Sequence, residues 1–237
     1  MPVFRPEVVY MITIEKTKKL LKKHNQGHLL AFWERLNPAQ RQNLLVQIER
    51  LDFSEIDEWV ADYIKNPASA AIPVDFTPAP FYSFNPAGPK QERNYSKAKE
   101  LGMELISAGK VAAFVVAGGQ GTRLGFAGPK GNLPISPVKS KTLFEIFAET
   151  IAAVSERCQT VCPWYIMTSS LNHAETGEIF RSNSYYGLDE KDIFIFQQDA
   201  LPNFGFDGKI LLADKASIAC SPDGHGGSLK ALYKSGA

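Results

Sequence analysis

"VVAGGQGTRLGFAGPKG", residues 115–131, starts as an apolar strand and turns at once into a run holding six glycines, one arginine and one lysine. Backbone without side chains can approach a flat base or a phosphate closely. Its N–H groups can also form a nest for anions. Such dipoles contribute only about 0.3–2 kcal/mol each, so a polyphosphate needs full charges as well. Arg123 offers a planar fork for phosphate oxygens and Lys130 a compact point charge. Pro129 stiffens the chain just before that lysine. The Walker loop is excluded, because no Gly-Lys-Ser/Thr occurs here. The dinucleotide pattern G-x-G-x-x-G fits at Gly119 and Gly121 but meets Leu124 where its third glycine belongs. A ligand-free turn has no need of Gly118, Gly119, Gly121 and Gly125 together with Arg123 and Lys130. Those residues make a candidate nucleotide loop.

Working outward, strands and helices alternate from residue 94. "SKAKELGMELISAGK" predicts a helix ended by Gly109, and "VAAFVVA" (111–117) a central parallel strand buried on both faces. A helix over "KTLFEIFAETIAAVSERC", a strand at 162–168, a helix over "NHAETGEIFRSN" and a strand at 192–198 follow. "FDGKILL" carries an Asp-Gly turn suited to a small hairpin. "PDGHGGSLKALYKSGA" is a second glycine loop opening a helix with no capping residue at its far end. The pattern specifies an α/β fold with a Rossmann-like, mostly parallel sheet, where ligands gather at the carboxyl ends of strands.

Upstream, residues 1–66 read as a helical N-terminal region. The apolar residues of 20–36 fall mainly on one side of a helix, and "NPAQ" offers Asn37 as N-cap, Pro38 at the first position and Gln40 to close a capping box. Ser54 can cap a third helix. His24 and His28 stand four apart, a spacing that suits a metal, but no third ligand lies near and a solvated helix face is the preferred reading. Residues 67–93 take six of the 15 prolines and read as an extended linker, leaving 94–237 as the nucleotide-binding part.

Basic and acidic residues balance, 26 against 25, so no global field favours nucleic acid or a membrane surface, and phosphate handling must be local. No apolar run reaches membrane-span length. Three scattered cysteines form neither a zinc pattern nor a disulfide framework, which fits a reducing, cytoplasmic setting.

The glycine loop resembles the signature of the eukaryotic-type UDP-sugar pyrophosphorylases through Lys130. "GHLLAFWERL", "PWYIMTS", "IFIFQQDALPNFGFDGKILL" and "SPDGHGG" extend the likeness, most closely to the UDP-N-acetylglucosamine branch. The resemblance implies a nucleotidyltransferase that joins UTP and a sugar 1-phosphate, with Mg²⁺. It implies that Gly118 and Gly119 hold the uracil and ribose side, and that Arg123 and Lys130 clamp phosphates. Gln198 would read the uracil edge, since an amide donates and accepts at once. Gly224 would border the base or ribose.

One departure bears on the sugar. Acetylamino-sugar members usually read Gly-Asn-Gly-Gly in the second loop, whereas His225 stands at the asparagine position here. Gly-His-Gly is similar to the UDP-glucose members, so glucose or galactose 1-phosphate stays open beside N-acetylglucosamine 1-phosphate, as does a non-catalytic nucleotide-binding module. The resemblance also places the metal-holding aspartate and the sugar pocket beyond residue 237. The chain is expected to be the N-terminal part of a longer enzyme, with metal ligands unassigned and oligomeric state unread.

Overall fold

The computed structural model describes residues 13–66 and 75–236. In chain order the helices are α1 (Ile14–Lys23), α2 (Pro38–Glu49), α3 (Phe53–Trp59), α4 (Pro89–Ser107), α5 (Leu143–Cys158), α6 (His173–Ser182) and α7 (Ser228–Ser235). The strands are β1 (Ala113–Val116), β2 (Trp164–Thr168), β3 (Ile193–Gln197), β4 (Ala200–Pro202), β5 (Leu212–Asp214), β6 (Ser217–Ile218) and β7 (Cys220–Pro222). The chain divides into two compact units: Met1–Phe76 with Ala200–Pro222, and Thr77–Asp199 with Asp223–Ala237.

The second unit carries the glycine-rich loop 118–131. Its sheet is parallel in the order β1–β2–β3, with Val115 beside Ile166 and Ile166 beside Ile195. Side chains alternate across it, as the period of two requires. Trp164, Ile166, Val115 and Ile195 face Phe144 and Ile151 of α5 and Phe180 of α6. Tyr165, Met167, Val116 and Phe196 face Ala231 and Leu232 of α7. The fully buried rings of Phe144, Trp164 and Phe180 meet edge to face, with centroids 5.1–6.4 Å apart.

The first unit corrects the domain boundaries drawn from sequence. Residues 200–222 belong with the N-terminal helices, because Ile210, Ala216 and Ile218 join the core of Leu21, Leu29, Leu44, Ile48 and Ile56. Two glutamines act as strand partners for this segment. Gln26 donates to the Gly208 carbonyl and accepts from the Ile210 N–H, both at 2.9 Å, and Gln47 accepts from the Ile218 N–H at 2.9 Å. The Asp-Gly hairpin forms as expected, bridging Phe204 to Ile210.

Other expectations also change. The helix read across 20–36 breaks after Lys23. Asn25 takes φ 55, and two short 3₁₀ turns, Gly27–Leu30 and Trp33–Arg35, replace the rest. The two histidines do not form a solvated helix face. His24 pairs with Asp57 at 2.7 Å, and the His28 ring lies 2.6 Å from the Ile210 carbonyl. Asn37 and Gln40 do form the capping box, but Asp52 rather than Ser54 caps α3. β1 is half-buried at the sheet edge rather than central, because among the described residues it pairs with β2 alone and short α7 leaves Phe114 exposed. Helix α4 starts at Pro89, inside the expected linker, of which 67–74 lie outside the described residues. Gly236 closes α7 with φ 69, the left-handed stop that the sequence reading overlooked. No described helix is long and apolar enough to cross a membrane.

Candidate nucleotide-binding site

The loops that follow β1, β2 and β3 gather at the carboxyl ends of the strands. Ala117 ends the β1 ladder by donating to the Met167 carbonyl at 2.7 Å. The chain then doubles back: Gly121 N–H donates to Gly128 O at 2.9 Å and Lys130 N–H to Gly119 O at 3.0 Å, pairing Gln120 with Pro129. Gly125, with φ 70, turns the tip after the 3₁₀ turn Thr122–Leu124. Gly121 lies inside this closure, where a Cβ would stand 2.8 Å from the Phe126 ring. Gly131 seats the base of the loop on the core, since a Cβ there would fall 2.2 Å from the Phe144 ring.

Three features make the loop receptive. The N–H groups of Gly118, Gly119 and Gln120 have no acceptor among the described residues. Arg123 and Lys130 are exposed, and neither forms an ion pair with a described residue. Lys130 Nζ lies 3.7 Å from the position of a Gly119 Cβ, so the ammonium sits beside the free N–H groups.

Gln198 joins this constellation. Its backbone N–H donates to Thr168 O at 2.8 Å, and its side-chain nitrogen lies 2.8 Å from where a Gly118 Cβ would be. The amide occupies the space that the missing side chain leaves. Gly224 and His225 stand in the second loop, with Gly224 at φ 70 and His225 exposed at the head of a 3₁₀ turn. Neither makes a hydrogen bond to the first loop among the described residues.

Sequence reasoning missed several residues of this region. Asn172 is buried behind the first loop. Its Nδ2 donates to the Ala117 carbonyl at 2.9 Å and reaches the Gly119 carbonyl at 3.4 Å. Its Oδ1 accepts from the Ser169 N–H and hydroxyl at 2.9 and 3.1 Å. Thr168 donates to Phe196 O at 2.9 Å and meets His173 Nδ1 at 2.8 Å. With its one hydroxyl proton spent on the carbonyl, Thr168 accepts from that ring nitrogen. The available signal was the polar run "TSSLNH" directly after an apolar strand.

Asp223 opens the second loop, and its carboxylate rests against Gly227, where a Cβ would fall 1.7 Å from Oδ2. Oδ1 is buried without a hydrogen-bond partner. Burial, reinforced by the nearby Asp199 charge, pushes the Asp223 carboxyl above its ordinary range. Asp199 is itself paired with Lys234.

A family profile described as UTP--glucose-1-phosphate uridylyltransferase matches residues 83–237, which take in this entire site. The chain belongs to that family. Relatives of the uridylyltransferase family extend the likeness into the N-terminal helices. The chain is 36% identical over 230 residues to a UDP-N-acetylhexosamine pyrophosphorylase-like protein 1 of Xenopus tropicalis, covering 92% of this chain and 45% of that one. It is 33% identical over 229 residues to the UDP-N-acetylglucosamine pyrophosphorylase of Saccharomyces cerevisiae, covering 91% and 47%. The crystal structure of the Trypanosoma brucei UDP-N-acetylglucosamine pyrophosphorylase matches with TM-score 0.68 at 28% identity, over 90% of this chain and 44% of that one. The chain thus spans a little under half the length of these relatives.

Proposed function

We propose that this chain supplies the UTP-binding part of a uridylyltransferase that forms UDP-N-acetylglucosamine and pyrophosphate from UTP and N-acetylglucosamine 1-phosphate. The observation that carries the reading is the packing of the Gln198 amide on Gly118, beside three unspent N–H groups and the Lys130 ammonium. A base-reading amide and an anion nest meet at one loop.

In this reading a sugar-phosphate oxygen attacks the α-phosphorus of UTP, the bond to the bridging oxygen breaks, and pyrophosphate leaves. No covalent enzyme intermediate is needed, so catalysis is positioning and neutralisation of charge. Gly118, Gly119 and Gly224 border the uridine, Gln198 reads its edge, and Gly121 keeps the loop closed. Lys130 faces the α-phosphate and Arg123 holds the leaving pyrophosphate. Mg²⁺ belongs to the proposal as the companion of the triphosphate. The described residues do not fit a metal site of their own: none forms a group of three or more His, Cys, Asp or Glu, Asp199 is tied to Lys234, and the free Asp223 oxygen is enclosed. No step is therefore routed through the ion.

The relatives' names favour the acetylamino sugar. A second reading, glucose or galactose 1-phosphate as acceptor, draws on His225 in the second loop and on the glucose in the family's description. A cytoplasmic location accords with three free cysteines. The test is calorimetry with UTP and ATP on the protein and on Gln198→Ala, beside pyrophosphate release with each sugar phosphate. UTP preference lost in Gln198→Ala is the expected result. Equal affinity for both nucleotides, untouched by the substitution, refutes the base-reading role.

A further inference from the structure

We propose that Asn172 is a positioning residue that sets the polarity of the glycine loop, aiming its N–H groups outward toward the nucleotide. The proposal rests on the uridine-nucleotide reading of that loop. Asn172 stands at the N-cap position of α6, where asparagine ordinarily accepts from the first turn, yet its side chain makes no capping bond. It is spent on the loop instead.

The orientation of the amide is unambiguous. Ser169 N–H can only donate, so the atom facing it is Oδ1; the Ala117 and Gly119 carbonyls can only accept, so the atom facing them is Nδ2. All the hydrogen-bonding capacity of the buried amide is used, two bonds anchoring it to the end of β2 and two holding the end of β1 and the loop. In a planar trans peptide the carbonyl and the following N–H point in opposite directions. Drawing the Ala117 carbonyl toward Asn172 therefore turns the Gly118 N–H away from it. Drawing the Gly119 carbonyl inward does the same for the Gln120 N–H. These N–H groups are among those left without an acceptor. The Gly119 carbonyl also accepts from the Lys130 N–H at 3.0 Å, so the same anchor fixes the backbone that carries the ammonium. A peptide flip at either carbonyl would reverse a dipole facing the ligand, from a donor to a repelling acceptor.

The experiment uses Asn172→Ala, with Ile151→Ala in α5 as a control for lost core stability. UTP and ATP affinities are read by calorimetry, and backbone amide exchange at Lys130 by NMR. Asn172→Ala is expected to weaken UTP binding about tenfold, the scale of one well-placed hydrogen bond to an oriented site. UTP should stay preferred over ATP, because Gln198 is untouched, and Lys130 exchange should accelerate about tenfold, since a freed Gly119 carbonyl no longer holds that N–H. Ile151→Ala should change neither once its lower Tm is allowed for. UTP affinity within twofold of the parent in Asn172→Ala, or equal losses in the control, overturns the proposal. Should the parent protein bind no UTP, the uridine reading fails by itself. Lys130 exchange then decides, with acceleration confined to Asn172→Ala supporting the positioning role and its absence refuting it. If Asn172→Ala does not fold, Asn172→Ser is read by the same criteria.

Discussion

Replacing Gly118 by alanine isolates the contact on which the nucleotide reading stands. Its φ lies outside the left-handed region, so alanine meets no backbone strain and the whole effect comes from the added methyl group. That methyl would sit 2.8 Å from Gln198 Nε2 and 3.3 Å from both Cβ and N of Ser169. The Ser169 contacts need give only a few tenths of an ångström, so the stability cost should fall at the low end of the 1–3 kcal/mol seen on average for overpacking, about 1 kcal/mol. The Gln198 amide, the far end of a flexible side chain, must swing aside. Losing one or two base hydrogen bonds, together about 1–3 kcal/mol, should weaken UTP roughly five- to 150-fold and leave ATP nearly unchanged. Calorimetry and Tm on the single and double mutants with Gln198→Ala make a complete cycle. In the Gln198→Ala background the methyl group has no amide to displace, so Gly118→Ala should then cost UTP affinity little. A full, additive loss in the double mutant refutes the reasoning.

In the full-length enzyme, steady-state kinetics should show kcat and kcat/KM falling together in Lys130→Ala, with a rise in KM as well in Arg123→Ala, whereas near-normal kinetics in the lysine variant would sink its role at the α-phosphate. Gly131→Ala drives a methyl group into the buried Phe144 ring, so thermal denaturation should reveal a loss of about 1–3 kcal/mol or outright misfolding, and an unchanged Tm would contradict the packing described. Because the fold raises the Asp223 carboxyl above its ordinary value of 3.8, its favourable contribution is complete only below that pH and is lost as pH rises through the folded value. Asp223→Asn should accordingly melt higher than the parent at pH 7, with the gap closing toward pH 4; a gap that is constant with pH would show that the carboxyl does not titrate abnormally.

The parallel sheet was legible because its strands are short apolar runs between amphipathic helices, and the loop because glycines and cations coincide in one stretch. The capping box at Asn37 was legible for the same reason: all its atoms come from four neighbouring residues. What escaped was what depends on distant partners. A helical stripe over 20–36 does not reveal that Gln26 and His28 bond to the backbone of residues 208 and 210 and so draw the chain out of the helix. Nor does the continuous apolar run 111–117 show how many neighbours a strand has. Asn172 looks like an ordinary helix cap, and only the carbonyls of Ala117 and Gly119, more than fifty residues earlier, tell it apart.

Those distant partners also set a timetable for the chain as it is made. Gln26 cannot reach the Gly208 carbonyl until the 182 residues that separate them have been synthesised. At about 5–20 residues per second, that is a wait of roughly 10–40 seconds. Throughout it, Leu21, Leu29, Leu44, Ile48 and Ile56 lack Ile210 and Ile218, the apolar lid of their core. The N-terminal helices emerge first and finish late. Aggregation or chaperone capture during that interval should respond to substitutions in residues 200–222, far from where the exposed surface lies.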